Sequence, residues 1–526
     1  MKLLSSVLCA GILATGVVAN TPYMTPYIIE HDIEWKELNN WLWKFHYVAH
    51  GHRWNRAFGT SGDNETRELL VFRTRKLLRK HLDTTIQKFT HMYEHTKNIT
   101  LTGPGGQNVS VMTLEYNHAT PLPDGISAPL IDTPVDDERG SACFKDQWEG
   151  VDAAGKIVLV KRGKCAISDK LKLATAHGAL AVVLYNQVPG NTTGPMPEID
   201  SRGHVELTSG NITAATLGVG NVGKLVPVGL IGLHDGLAWS KRLAAGETFN
   251  VTLLVDAIAE EREGWNVIAD TKRGSNESYI MIGAHYDSGP NSPGINDNAT
   301  GVAVLLEIMR SIKKYIGNTS KVRYAFWGAG KKGQIGSLHY ASQLTEDEAD
   351  RIKFYINLDM IASPKPIYAI YADDDADKAG AEIMFKHLTT KQEQPFFYPS
   401  KPSYPAFYAK HGNTSDYVAF RKIGIPTSGF FTGGATENDE CHGMRCDDLY
   451  NVVNKYGSLY SLEDIARAVG YTVASLAIDG SKIPPRKKTC GNPASKDGVL
   501  RTFEEWEDTR RMMEKERPCC GGSNVV

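Results

Sequence analysis

Eight cysteines in 526 residues are too few for a disulfide-dense mini-scaffold, and a chain of this length has room for cores in two or more domains without one. An excess of one charge is also missing. Lys and Arg number 58 against 60 Asp and Glu, a formal net charge of −2, so nothing electrostatic points to nucleic acid or an anionic membrane. Beyond the N-terminus no stretch is apolar enough and long enough to cross a bilayer, and no membrane partner is expected. Three catalytic signatures are absent too: the G-x-S-x-G elbow of serine hydrolases, the H-E-x-x-H helix and the P-loop. No internal repeat is visible. With 41% hydrophobic and 22% charged residues, the composition is that of a soluble globular protein.

The N-terminus carries a positive start at Met1-Lys2, an apolar run from Leu3 to Val18 and small residues at Val17-Val18-Ala19. This pattern predicts a signal peptide over 1–19 and an extracellular protein. Sequons at Asn64, Asn98, Asn108, Asn191, Asn211, Asn250, Asn276, Asn298, Asn318 and Asn413 agree with export and glycosylation. Asn298, inside a motif treated below, is not expected to carry a glycan. In an oxidising compartment Cys143 with Cys165 and Cys441 with Cys446, which flank a short loop, are candidate pairs. Cys490, Cys519 and Cys520 leave an odd number.

Residues 20–118 read as a helical part, with apolar residues at helical spacing around Leu69 to Phe89. From 119 to 258 Pro and Gly become frequent and separate short apolar runs such as Gly155-Lys-Ile-Val-Leu-Val, which predicts a β-rich unit. Over 259–482 strand patterns (Asn266-Val-Ile-Ala, Tyr279-Ile-Met-Ile-Gly, Val322 to Trp327, Phe354 to Leu358) alternate with helical ones. Val302, Leu305, Leu306, Met309 and Ile312 share one face, and a further helix is expected at about Leu462 to Ala477. This rhythm implies an α/β layered domain. Residues 483–526 are expected to be a charged, loosely ordered tail.

The chemistry-bearing residues fall at strand ends. His285 and Asp287 follow the strand ending at Gly283-Ala284. Asp297 lies in Gly294-Ile-Asn-Asp-Asn before a helix, Asp359 ends the strand from Phe354, and His442 lies between two cysteines. Sites in open α/β sheets form beyond the carboxyl ends of strands, and imidazole with carboxylates is a zinc set. Each residue alone also has a structural reading: Asp297 as a helix cap, Asp359 as a turn residue, His442 as an exposed loop histidine.

The ordered motifs Gly283-Ala-His-Tyr-Asp-Ser, Gly294-Ile-Asn-Asp-Asn-Ala-Thr-Gly, Phe326-Trp-Gly-Ala and Asn357-Leu-Asp-Met-Ile-Ala-Ser-Pro resemble the di-zinc aminopeptidase family, which includes secreted fungal leucine aminopeptidases and the aminopeptidase Y type. Residues 119–258 resemble the protease-associated domain often inserted in these enzymes. The resemblance implies a three-layer α/β/α zinc-peptidase domain with a mixed, mostly parallel central sheet, plus that β-rich insert. It implies His285 and Asp359 on one zinc, His442 on the other, Asp297 bridging, and Asp287 orienting His285. Ser415-Asp416-Tyr417 matches a loop near the substrate pocket. Peptide or protein N-termini are the implied partners, and removal of N-terminal residues the implied reaction.

One segment departs from the family. Where two adjacent glutamates are expected, the sequence reads Gly330-Lys331. Gly330 stands at the position of the general base, whose loss removes about 10²–10⁴ in rate. Lys331 stands at the position of a ligand to the second zinc. An ammonium about 4 Å from a unit positive charge is repelled by roughly 4 kcal/mol at an effective dielectric near 20, and a dication meets more. One zinc or none is therefore expected instead of the family's two. The Lys331 ammonium is expected either to fill the space of the second zinc and pair with Asp297 or to join Lys332 as a solvated loop pair. Activity is expected to be lost or impaired; the alternative is a secreted, non-catalytic peptide-binding or interaction protein. A carboxylate from Glu437, Asp439 or Glu440 is the remaining route to a substitute base.

Overall fold

A computed structural model of the chain describes residues 21–187, 197–199, 205–207, 217–392, 404–453 and 456–488. The expected signal peptide, most of the expected tail, and Cys490, Cys519 and Cys520 lie outside the described residues. Twelve strands carry the architecture: β1 (Leu82–Thr102), β2 (Ile126–Asp132), β3 (Ile157–Lys161), β4 (Ala181–Tyr185), β5 (Val228–Ile231), β6 (Asn250–Thr271), β7 (Ser275–His285), β8 (Ser320–Trp327), β9 (Ile352–Leu358), β10 (Tyr368–Tyr371), β11 (Ala406–Ala409) and β12 (Thr427–Phe431). Their order across the sheet is β11-β10-β12-β9-β7-β8-β6-β2-β3-β4-β5. Pairings β8–β7–β9–β12 are parallel, whereas β6 runs antiparallel to β8 and β10 antiparallel to β12.

Because side chains alternate along a strand, each central strand feeds two cores. Ile280, Ile282, Tyr324, Phe326 and Ile356 join one core with the helices Trp35–Gly51, Thr300–Ile312 and Tyr456–Ile478. Met281, Ala325, Trp327 and Tyr355 face the other, under the helices Ile335–Ser342 and Tyr417–Lys422. The helix Thr300–Ile312 is buried nearly all round, as a helix between two apolar layers must be. Its N-terminus points at the carboxyl end of β7, and this places Asp297 beside His285.

Residues 20–118 are helical only as far as Leu77. Helices end by Leu77, and Leu82–Thr102 is a 21-residue strand. It pairs antiparallel with β6 from Leu82↔Thr271 to Thr102↔Thr252. The apolar residues at helical spacing are overridden by this ladder, and Thr84, Thr85, Ile86, Phe89 and Thr90 suit a pleated surface. β6 in turn runs from the inserted unit into the peptidase sheet without a break, so residue 258 falls inside one strand. The insert places β2–β5 in parallel register between two apolar faces.

Both candidate cysteine pairs, Cys143–Cys165 and Cys441–Cys446, form disulfides. The Asn298 side chain is fully buried and its amide donates to the Leu358 carbonyl at 2.8 Å. It has no room for a glycan in the folded chain. No helix among the described residues is long and apolar enough to cross a membrane.

Candidate metal centre

Five sequence positions converge beyond the carboxyl ends of β7, β8 and β9. His285 is the last residue of β7, and its Nδ1–H donates to the main-chain carbonyl of Asp287 at 3.1 Å. A carbonyl only accepts, so this bond keeps the proton on Nδ1 and turns Nε2 into the site. Nε2 lies 3.4 Å from Asp297 Oδ1 and 3.5 Å from Asp359 Oδ1. Two ligand atoms bonded to one zinc at about 2.0–2.1 Å in a tetrahedron stand about 3.3 Å apart, which both separations from His285 match, and the three ligand atoms of His285, Asp297 and Asp359 all lie within 4.8 Å of one another. Asp297 Oδ1 is buried without a hydrogen-bond partner, as expected of an oxygen reserved for a metal.

The other oxygen of Asp297 is already occupied. Lys331 Nζ donates to Asp297 Oδ2 at 2.7 Å, and His442 Nε2 lies 3.1 Å from the same atom. His442 Nδ1–H donates to the Gly434 carbonyl at 2.8 Å, so Nε2 can donate to Asp297 only as an imidazolium. Burial opposes that charge, but the Asp297 carboxylate outweighs it and raises the His442 pKa. Burial likewise works against both charges of the Lys331–Asp297 pair. Their mutual attraction prevails: Lys331 is held above its ordinary value and Asp297 well below its own. Lys331 and Lys332 are therefore not a solvated pair. Lys332 turns the other way, 3.1 Å from Glu115 Oε1 and 3.6 Å from Glu94 Oε1, tying this turn to β1 and to the segment that leads into the inserted unit. The Oδ2 side of Asp297 is thus taken by an ammonium and an imidazolium.

Asp287 touches the imidazole mainly through its backbone. Its carboxylate has a different task, accepting the amide hydrogens of Gly330 at 2.7 Å and Lys331 at 3.0 Å. It thereby pins the turn that carries Gly330 and Lys331. Glycine is what allows that turn to lie where it does: a Cβ on Gly330 would stand 2.4 Å from the Cβ of His285. Asp439 is committed elsewhere, accepting from Asn296 Nδ2, Asn451 Nδ2 and the Cys441 amide. Glu440 faces Lys365 at the surface. Neither stands in as a base.

Several supporting residues escape sequence reading. Asp447 accepts the amides of Asn296 and Asp297 at 2.7 and 3.2 Å and so aims the Asp297 loop, while burial pushes its own pKa up to about 8. Arg56, fully buried, donates to the carbonyls of Tyr286, Pro293 and Gly294. Only the cysteine beside Asp447 hinted at a structured loop, and nothing marked Arg56. Ser415, from the pocket-loop motif, donates to Asp359 Oδ2 at 2.6 Å and receives Asn357 Nδ2 at 2.8 Å.

Residues 266–469 match the peptidase family M28 model, and residues 126–239 match the PA domain model. A probable lipoprotein aminopeptidase of Mycobacterium tuberculosis is 30% identical over 445 residues, covering 83% of this chain and 82% of that protein. The chain belongs to peptidase family M28. A leucine aminopeptidase 2 of Trichophyton tonsurans is 27% identical over 516 residues, covering 93% of the M28 chain and 94% of its own. Among solved structures, the aminopeptidase from Aneurinibacillus sp. strain AM-1 superposes with a TM-score of 0.63 at 23% identity, covering 86% and 96%. That likeness agrees with the fold described above: a mixed, mostly parallel α/β peptidase sheet with an inserted PA domain.

Proposed function

We propose that this M28 chain carries an aminopeptidase-type pocket for peptide N-termini that holds one zinc, and that its own hydrolysis is lost or impaired. The observation that carries this reading is the 2.7 Å contact of Lys331 Nζ with Asp297 Oδ2. His285, Asp297 and Asp359 would hold the ion. When bound, it supplies Lewis-acid polarisation of a peptide carbonyl. Ser415 and Asn357 orient Asp359, the Asp287 carbonyl orients His285, and Asp447 aims the loop that carries Asp297. Lys331 neutralises one side of Asp297, and no carboxylate at position 330 is present to take a proton from the attacking water. The same observation favours a second reading, a peptide-binding protein without turnover. The apolar N-terminal segment, the sequons and the two disulfides support secretion.

The test is turnover of aminoacyl-arylamides by the purified chain with added zinc, beside zinc content and peptide affinity. The expected result is at most one zinc at the His285 position and a rate at least 10²-fold below that of an M28 relative bearing both glutamates. A comparable rate refutes the impairment. Peptide binding without measurable turnover selects the second reading.

A further inference from the structure

A second imidazole–carboxylate cluster lies on the edge strands, apart from the site above. Asp373 follows β10 by two residues, His411 follows β11 by two, and Asp377 sits in the first turn of the helix Asp375–Gln392. His411 Nδ1 is 3.3 Å from Asp373 Oδ1 and 3.9 Å from Asp377 Oδ2. The three ligand atoms lie within 4.8 Å of one another.

The imidazole is fully buried, and its Nδ1 has no hydrogen-bond partner. Its Nε2 lies 3.3 Å from Thr427 Oγ1, and Tyr371 stacks on the ring at 5.0 Å. A buried ring nitrogen without a partner is costly, and here it faces two carboxylate oxygens. The remaining oxygens are already in use. Asp373 Oδ2 meets Arg421 and Asp377 Oδ1 accepts the Thr427 amide at 2.9 Å; the two facing oxygens each also accept one main-chain amide, Asp373 Oδ1 from His411 at 2.9 Å and Asp377 Oδ2 from Asp373 at 3.0 Å.

We propose that Asp373, Asp377 and His411 form a second, structural site for a divalent ion of the zinc type. The 3.3 Å separation matches two ligands of a tetrahedral zinc, and the 3.9 Å one closes with a small movement of the Asp377 carboxylate. One imidazole with two carboxylates is a borderline-hard set that suits zinc. The ion would join the ends of β10 and β11 to the helix that follows β10. Arg421 stays on the far oxygen of Asp373 and offsets part of the acidic charge. His411 is four residues before Ser415, so the ion would also fix the loop from which Ser415 holds Asp359.

The test uses the full chain, loaded with zinc and dialysed exhaustively against zinc-free buffer. Anomalous scattering at the zinc edge is expected to show a peak about 2.0–2.1 Å from His411 Nδ1. Absence of that peak overturns the site, whether or not a variant folds. Zinc content gives the second readout. His411→Ala is expected to hold one equivalent less than the wild type, and Asp297→Asn/Asp359→Asn is expected to keep one. A wild-type count in His411→Ala overturns this proposal. If the His285 position alone fails, the wild type and the double variant hold one zinc each, and His411→Ala removes it.

Discussion

The backbone of Gly330 runs across the His285 imidazole so closely that a side-chain carbon at position 330 would lie 2.5 Å from the ring's Cγ. The turn after β8 has settled into space that a side chain would need. Glycine at this position therefore does more than omit a carboxylate. Gly330→Glu, and Gly330→Ala as well, are expected to force the turn or the imidazole aside and to lower stability by about 1–3 kcal/mol, as overpacking does. Denaturant unfolding measures the loss. Arylamide assays are expected to show no gain for Gly330→Glu alone.

Lys331→Glu reverses the charge beside Asp297 without adding a side chain against His285. It is expected to raise the zinc bound at the His285–His442 centre from one ion to two, with His442 and the new carboxylate freed to serve as ligands. Lys331→Met is expected to strengthen binding at the first position only. Equilibrium dialysis distinguishes the two. A Lys331→Glu protein that still binds a single ion at the His285 position contradicts the view that the ammonium excludes the second.

Lys332 lies largely buried between Glu94 and Glu115. Its removal leaves two carboxylates facing each other without a cation, and breaking a buried pair from one side costs about 3 kcal/mol. Lys332→Met is expected to destabilise by that amount. Adding Glu94→Gln and Glu115→Gln should recover part of it, because the uncompensated charge is then gone. Chemical denaturation of the three proteins checks both directions.

Asp416, fully buried and accepting from Ser337 Oγ at 2.6 Å, is pushed up to about 7 by burial. Its value in the unfolded chain is about 3.9. Between those values the native state holds the extra proton, so this residue's contribution to stability declines as pH rises from about 4 to 7. The slope is at most about 1.4 kcal/mol per pH unit. Asp416→Asn is expected to remove that slope and to gain on the wild type as pH rises. Unfolding free energies of both proteins at pH 5 and pH 7.5 test this.

Much of the site was legible because its residues sit at the ends of strongly patterned strands. His285, Asp297 and Asp359 each follow or precede an apolar element whose period gives its type, and the sheet brings strand ends together. The helical reading of Leu82–Thr102 failed because its partner strand is distant in sequence, Leu82 facing Thr271 and Thr102 facing Thr252, and local spacing carries no record of a ladder with β6. Arg56 and Asp447 were invisible for a similar reason: each acts on backbone groups of a distant segment and needs no neighbouring motif.

The sequence by itself determined that a glycine and a cation stand at positions 330 and 331, and that one imidazole and two carboxylates lie at the ends of patterned strands. Only the tertiary structure decided where that cation goes. Lys331 reaches Asp297 across 34 positions, while Lys332, its neighbour, turns to Glu94 on β1 and to Glu115. Adjacent residues on a tight turn point in different directions, and which partner each finds depends on elements that only folding brings within reach. The closeness of Gly330 to His285 is of the same kind. It is a distance between two strand ends, set by the packing of the whole sheet.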